Sequence, residues 1–141
     1  MKFSFTDEQL MLKDSVEGFL TEHSDSPAVR AAMSSTSGID QRLWQKICTD
    51  MYWQAILVPE EFGGLGLGLL EVVIVLEQMG RFLTPVPLSA GVQSALALRT
   101  LVEKPLAQTM LADLAQVQLV AFAHTDARTH RDAQGVEVLP P

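Results

Sequence analysis

A run of closely spaced glycines, followed by an almost unbroken apolar stretch, most constrains what this chain can fold into. Residues 59–68 read Pro-Glu-Glu-Phe-Gly-Gly-Leu-Gly-Leu-Gly, and residues 69–79 carry eight apolar side chains. Glycine permits positive φ and close backbone approach, so the first segment predicts a tight turn. The second predicts a helix that is apolar on nearly every face, and such a helix is buried among others. We therefore expect a central helix entered through a flexible glycine turn, an arrangement suited to lining a pocket.

Capping residues and helical periodicity predict three helices before the glycine turn. Thr6 and Gln9 form a capping box that precedes an amphipathic helix over residues 7–22. Pro27 begins a short second helix, because proline lacks only a donor that is unpaired there anyway. Asp40 can cap a third helix. Its predicted buried stripe consists of Leu43, Trp44, Ile47 and Met51.

Proline and glycine divide the rest of the chain. Pro59 disfavours helical geometry in the residue before it, so residues 55–59 are predicted to be extended. Gly80 is placed to end the central helix. Ser89 can cap a helix that runs to about residue 102, and Pro105 opens another.

The last part of the chain changes period. Residues 117–123 alternate in the way that is typical of a strand, and polar sequence without periodicity follows. The predicted fold is therefore mainly α, with about six packed helices followed by the first strand of a β domain. We expect a helical domain over residues 1–116, and the start of a β domain or a polar tail over residues 117–141.

Composition excludes several classes of function. The 141 residues carry a net charge of −7, and the ten Lys and Arg residues are scattered. This pattern argues against nucleic acid and against an anionic membrane surface as partners. Cys48 is the single cysteine, which excludes an internal disulfide, and residues 65–76 are too short to span a bilayer. We expect a soluble cytoplasmic protein.

Two sequence patterns that could indicate a nucleotide site or a metal site have simpler explanations. The glycine spacing lacks the third glycine of a dinucleotide fingerprint. His124 and His130 each stand two residues before an aspartate, in a polar tail where a solvated loop is the better interpretation. The sequence therefore predicts no metal site.

The element order and four motifs resemble the amino-terminal helical domain of the acyl-CoA dehydrogenase family. The motifs are residues 5–10, the proline-acid-diglycine run of residues 58–67, residues 80–95, and residues 122–126. The last motif falls where the family enters its flavin-facing strand. The resemblance covers most of residues 3–126, and it is most specific at the glycine turn.

This resemblance implies a flavoprotein oxidoreductase of lipid metabolism that acts on CH–CH bonds. The family oxidises the α,β bond of an acyl-CoA thioester. A glutamate takes the α proton, the β hydride passes to FAD, and the electrons pass to an electron-transfer flavoprotein. The resemblance further implies that Gln93, Ser94 and Ala97 line the acyl chain. It also implies assembly into a homo- or hetero-oligomer with another acyl-CoA dehydrogenase chain.

The chain departs from the family pattern at its end. The carboxy-terminal bundle that carries the glutamate base has no counterpart here, so no catalytic residue is assigned. Thr125 matches the family's flavin-binding run and Asp126 is a shortened form of its acid, so the resemblance assigns both to the cofactor, whereas Ala127 and His130 replace its proline and a glycine. Arg131 stands in place of the serine that holds the flavin pyrophosphate, and it could pair with a phosphate electrostatically.

Three functional hypotheses follow. The first is an amino-terminal part or subunit of a flavin-dependent acyl-CoA dehydrogenase that lines the acyl slot. The second is a non-catalytic acyl-CoA-binding or interaction module that kept the fold without flavin chemistry. The third is a structural helical domain without a ligand, which leaves the glycine turn unexplained.

Overall fold

The computed structural model describes residues 4–116, and within that range the fold is mainly helical, as predicted. The strand predicted for residues 117–123 lies outside the described residues. Six α-helices follow one another within this range. They are α1 (Asp7–His23), α2 (Ser26–Met33), α3 (Gln41–Lys46), α4 (Leu69–Arg81), α5 (Leu88–Arg99) and α6 (Pro105–Ala115).

Side-chain caps begin the first three helices, which confirms the predictions made from local sequence. The Thr6 hydroxyl accepts the Gln9 N–H at 3.3 Å, and Gln9 Oε1 accepts the Thr6 N–H at 3.0 Å. Asp25 and Asp40 each accept an amide of the first turn, at 2.8 Å for α2 and 2.9 Å for α3. Each cap satisfies a donor that the helix itself leaves unpaired.

The chain after α3 forms further helical turns before the glycine turn. A π-helical turn, Ile47–Met51, continues α3, and a 3₁₀ turn, Trp53–Ala55, follows it. The prediction that residues 55–59 are extended is wrong, because the Val58 N–H donates to the Ala55 carbonyl at 3.1 Å. Pro59 restricts only the residue before it, so it does not prevent the turn.

Helices α1 and α4 pack side by side and run parallel. Gln9 Nε2 donates to Glu71 Oε1 at 2.9 Å near their amino-terminal ends. Further along, Glu17 in the second half of α1 and Arg81 at the end of α4 form an ion pair at 3.5 Å. The buried apolar residues on these two helices are Val16, Leu20, Val72, Ile74, Val75 and Met79.

The prediction that α4 is buried on all sides is wrong for the described part of the chain. Leu69, Leu70 and Val73 are about half exposed on its outer face, whereas the polar Gln78 is fully buried. Hydrophobicity along a helix does not fix how many neighbours cover it, because that number depends on the tertiary arrangement. Within residues 4–116, α4 is therefore an amphipathic helix with an open apolar face.

The end of α4 lies beyond the predicted terminator. The helix continues through Gly80, and Leu83 adopts the left-handed conformation with φ of +50°. The Leu83 N–H donates to Gly80 O at 3.2 Å and the Thr84 N–H to Met79 O at 3.0 Å. These are the two bonds of a Schellman cap, in which leucine occupies the position that usually holds glycine.

The boundaries of the last two helices were only partly predicted. Ser89 does not cap α5, which begins one residue earlier at Leu88, and α5 ends at Arg99 rather than near residue 102. Proline opens α6 at residue 105, as predicted. α5 and α6 pack against each other, and Ala95, Leu111 and Leu114 are among the residues that they bury in the core.

Replacing Leu83 by glycine should stabilise the protein. A side chain at positive φ costs about 1 kcal/mol, and the exposed Leu83 loses little packing when it is removed. We expect Leu83→Gly to raise the midpoint of thermal unfolding by about 3–5 °C. Leu83→Ala keeps the Cβ atom and should give no gain. Equal midpoints for the two variants would contradict the assignment of strain.

Candidate functional site

The glycine turn is folded back on the preceding segment and held there by backbone hydrogen bonds. The N–H groups of Leu65, Gly66 and Leu67 donate to carbonyls of residues 55, 58 and 56 at 3.0, 2.9 and 2.9 Å. The Gly64 N–H also donates to the Pro59 carbonyl, at 3.2 Å. The glycine turn was expected to be flexible. It is held in one conformation, because four of its backbone N–H groups are hydrogen-bonded to carbonyls of residues 55–59.

Two different constraints require glycine in this turn. A Cβ atom on Gly64 would lie 2.0 Å from the carbonyl oxygen of Val58, which is far inside van der Waals contact. Gly63 and Gly66 have φ values of +83° and +60°, a region that other residues rarely adopt. The spacing of the glycines thus reflects close backbone approach at one position and left-handed geometry at two others.

A carboxylate occupies the amino-terminal end of α4. Glu71 Oε2 accepts the Gly68 N–H at 3.0 Å, and Glu71 Oε1 accepts from Gln9 Nε2. The hydrogen bond from Gln9, together with backbone N–H groups, lowers the pKa of Glu71 below its ordinary value of 4.5. Because this charge already compensates the helix dipole, a phosphate here would be repelled. The geometry agrees with the interpretation that the glycine run is not a nucleotide fingerprint.

The end of α6 is anchored beside the glycine turn. Gln54, which is 4% exposed, donates from Nε2 to Cys48 O at 3.2 Å and to Ala115 O at 3.3 Å. A Cβ atom on Gly63 would lie 3.8 Å from Ala115 Cβ. Gln54 therefore joins the π-helical turn that follows α3, the base of the glycine turn and the point where the chain leaves α6. Gln54 is not among the residues predicted to be functional, although a single amide within the apolar run of residues 53–58 is a signal for such a role.

The three residues assigned to the acyl chain lie on one sector of α5. Gln93 is exposed, Ala97 is half-buried, and Ser94 is 2% exposed, with its hydroxyl donating to Ala90 O at 2.9 Å. A helix turns about 100° per residue, so Ala97 lies between the other two around the helix axis. The sector passes from solvent into the core. The role of these residues in acyl binding stays a prediction.

The residues assigned to the flavin cannot be placed. Thr125, Asp126 and Arg131 lie outside the described residues, as do both His-x-Asp pairs. Within residues 4–116 the amino-terminal end of α4 is occupied by Glu71, so it does not fit a flavin pyrophosphate.

The other reactive groups in the described residues are structural. Burial raises the pKa of the Cys48 thiol to about 11, so it stays protonated at neutral pH and packs as a small apolar group. In residues 4–116 no three His, Cys, Asp or Glu side chains converge in a way that could hold a metal ion. None of the helices in this range is long and apolar enough to cross a bilayer.

The sequence of this helical domain is similar to those of known proteins. Residues 6–118 match the family model described as the acyl-CoA dehydrogenase N-terminal domain. The chain belongs to the acyl-CoA dehydrogenase family. It is 40% identical over 110 residues to acyl-CoA dehydrogenase IpdE2 of Mycobacterium tuberculosis, and 36% identical over 118 residues to IpdE2 of Mycolicibacterium smegmatis. These alignments cover 78% and 83% of this chain, but 34% and 37% of the two relatives.

More distant relatives agree with this assignment. The mitochondrial isovaleryl-CoA dehydrogenase of Arabidopsis thaliana is 37% identical over 98 residues, which is 70% of this chain and 24% of that protein. The solved structure of a variant of the Tcur3481-Tcur3483 steroid ACAD superposes with a TM-score of 0.66 at 28% identity, covering 77% of this chain and 30% of that one. The chain therefore spans between about a quarter and about a third of the length of these curated relatives.

Gly64 should tolerate no side chain. Gly64→Ala places a methyl group against the Val58 carbonyl, so we expect a loss of about 3 kcal/mol or more in the free energy of unfolding. Gly18→Ala is the control, since Gly18 lies within α1 with no atom near its missing Cβ. It should raise stability by about 0.5–1 kcal/mol. A Gly64→Ala variant with the wild-type denaturation midpoint would refute the close approach.

The charge on Glu71 should make stability depend on pH. Its folded-state pKa is lowered, so its contribution is present above pH 4.5 and is lost as the pH falls through the folded-state pKa. We expect Glu71→Gln to cost about 0.5 kcal/mol in urea unfolding at pH 7, and this difference should shrink as the pH falls below 4.5. Glu77→Gln, on the exposed face of α4, controls for the loss of one negative charge. A Glu71→Gln effect that is constant between pH 7 and pH 3 would contradict this role.

Proposed function

We propose that this chain is the amino-terminal helical part of a flavin-dependent acyl-CoA dehydrogenase and supplies one wall of the slot that holds the acyl chain. The observation that carries the proposal is the position of the α5 sector at the boundary between solvent and core. Gln93 reaches water, whereas Ala97 and Ser94 lie progressively deeper. Such a gradient suits a ligand whose polar end stays outside while its hydrocarbon end is buried.

The remaining parts of the site have defined tasks under this proposal. The fixed glycine turn keeps the start of α4 at a constant position, and Gln54 keeps the end of α6 beside it. Both contacts reduce the motion that a bound acyl chain would otherwise have to restrict. The flavin supplies hydride acceptance when it is bound. Oxidation of the α,β bond, oligomerisation with another acyl-CoA dehydrogenase chain and a cytoplasmic location belong to the same proposal.

A second candidate is a non-catalytic acyl-CoA-binding or interaction module. Ala127 and His130 replace a proline and a glycine of the flavin-binding run, and Arg131 replaces its serine. Glycine lets backbone approach a phosphate closely, so these replacements favour weaker flavin binding than the family pattern implies. Acyl binding does not depend on them and could persist without the flavin.

Titration of the full 141-residue chain with octanoyl-CoA tests the acyl site. We expect saturable shifts of the backbone amide resonances of residues 93–97, and no such shifts with free CoA. Ala97→Phe should fill the slot and weaken binding at least tenfold, which corresponds to about 1.4 kcal/mol. Ala28→Phe, at a half-buried alanine of α2, is the matched control and should leave binding unchanged.

Flavin absorbance of the same preparation separates the two candidates. A preparation that retains FAD and binds octanoyl-CoA supports the dehydrogenase part, whereas a colourless one that binds octanoyl-CoA equally well supports the module. If octanoyl-CoA leaves residues 93–97 unshifted, or if Ala97→Phe and Ala28→Phe bind equally, the acyl-slot assignment is wrong.

A further inference from the structure

Five large apolar side chains are exposed on the glycine turn and at the start of α4. Each is between 40% and 54% exposed, and all five occur within nine consecutive residues. An exposed apolar surface of this kind is typical of a docking site. We call it the α4 face, and it consists of Leu65, Leu67, Leu69, Leu70 and Val73.

Acidic residues accompany the α4 face. Residues 60–77 contain four glutamates, and no Lys or Arg occurs between Lys46 and Arg81. Glu60 lies against the glycine turn, because a Cβ atom on Gly66 would lie 3.2 Å from Glu60 Cγ. Like charges that face each other across an interface oppose association. A suitable occupant of the α4 face is therefore apolar and brings positive rather than negative charge.

A second copy of the chain meets only part of this requirement. A two-fold interface brings the same surface of both copies together. The four glutamates of residues 60–77 would then lie close to the same four glutamates of the other copy. The apolar side chains would be covered, but the repulsion between carboxylates would oppose the contact.

The chain leaves α6 next to the glycine turn. Ala115 is the last residue of α6, and a Cβ atom on Gly63 would lie 3.8 Å from Ala115 Cβ. In extended form, residues 117–123 would span about 23 Å. The distance from Leu69 to Val73 along the axis of α4 is only about 6 Å. Residues 117–123 are therefore long enough to reach the α4 face from the end of α6.

The composition of residues 117–131 complements the α4 face. Residues 117–123 contain six apolar residues and no charge, and residues 124–131 carry two arginines against one aspartate. The predicted strand alternates sides, so that one of its two sides is wholly apolar. That side consists of Val117, Leu119, Ala121 and Ala123.

We propose that residues 117–123 dock on the α4 face, with their wholly apolar side against Leu69, Leu70 and Val73, and that Arg128 lies beside the glutamates of residues 60–77. The proposal uses none of the α5 residues assigned to the acyl slot and none of the residues assigned to the flavin. It goes beyond the proposed function, and either can fail while the other holds.

Disulfide trapping in the full 141-residue chain tests this contact. We expect Leu70→Cys/Ala121→Cys to form an intramolecular disulfide at least tenfold faster than Leu106→Cys/Ala121→Cys. Leu106 is more exposed than Leu70 and lies about 14 Å from Ala115 along α6, within reach of an undocked segment. The Cys48 thiol is buried and protonated at neutral pH, so it does not compete.

Two matched charge variants test which side of the segment docks. Leu119→Asp places a carboxylate on the docking side, whereas Gln118→Asp makes the same change on the opposite side. We expect Leu119→Asp to shift the methyl resonances of Leu70 and Val73 and to lower the thermal midpoint by about 3 °C or more. Gln118→Asp should do neither.

The contribution of positive charge is tested separately. Arg128→Gln should slow the trapping reaction of Leu70→Cys/Ala121→Cys about threefold, since it removes the attraction to the glutamates. Lys104→Gln removes an exposed cation just before α6 and should leave the rate unchanged.

Three results would overturn the proposal. Equal trapping rates at Leu70 and Leu106 would mean that the segment is not docked. Equal effects of Leu119→Asp and Gln118→Asp would mean that neither side of the segment is buried on α4. Disulfide-linked dimers of the single variant Leu70→Cys, formed faster than those of Leu106→Cys, would assign the α4 face to a second copy of the chain.

Discussion

The backbone contact between the glycine turn and the segment before it is the constraint on which the rest of this domain depends. Three amides of residues 65–67 reach the carbonyls of residues 55–58, and the approach is possible because Gly64 has no side chain to strike the Val58 oxygen. This contact fixes where α4 begins. Through Gln54, the same segment also fixes where α6 ends. Two helices that are distant in sequence thus take their positions from one short turn.

Family membership and the local elements could be predicted from sequence because both depend on few residues. The cap of α1 requires only Thr6 and Gln9, and proline at residue 105 opens α6 without help from elsewhere. The glycine motif identifies the family for a similar reason. Glycine is required there by close backbone approach at Gly64 and by positive φ at Gly63 and Gly66.

Features that depend on neighbours distant in sequence could not be predicted in this way. Hydrophobicity suggested that α4 is surrounded, yet Leu69, Leu70 and Val73 are half exposed and Gln78 is buried. Gly80 looked like a terminator, but the hydrogen bonds of the cap close one turn later, at Leu83. Gln54 was missed because its importance lies in reaching Ala115, which is 61 residues away in sequence. Gln93, Ser94 and Ala97 do lie on one sector of α5, because helical spacing alone decides this, whereas their role in acyl binding stays a prediction.

The parallel arrangement of α1 and α4 has an electrostatic consequence of its own. Antiparallel neighbours cancel their macrodipoles, whereas parallel neighbours bring like partial charges together at each end. Asp7, Glu8 and Glu71 stand at the positive ends, and Arg81 stands at a negative end. These side chains therefore supply the counter-charges for two helices that point the same way.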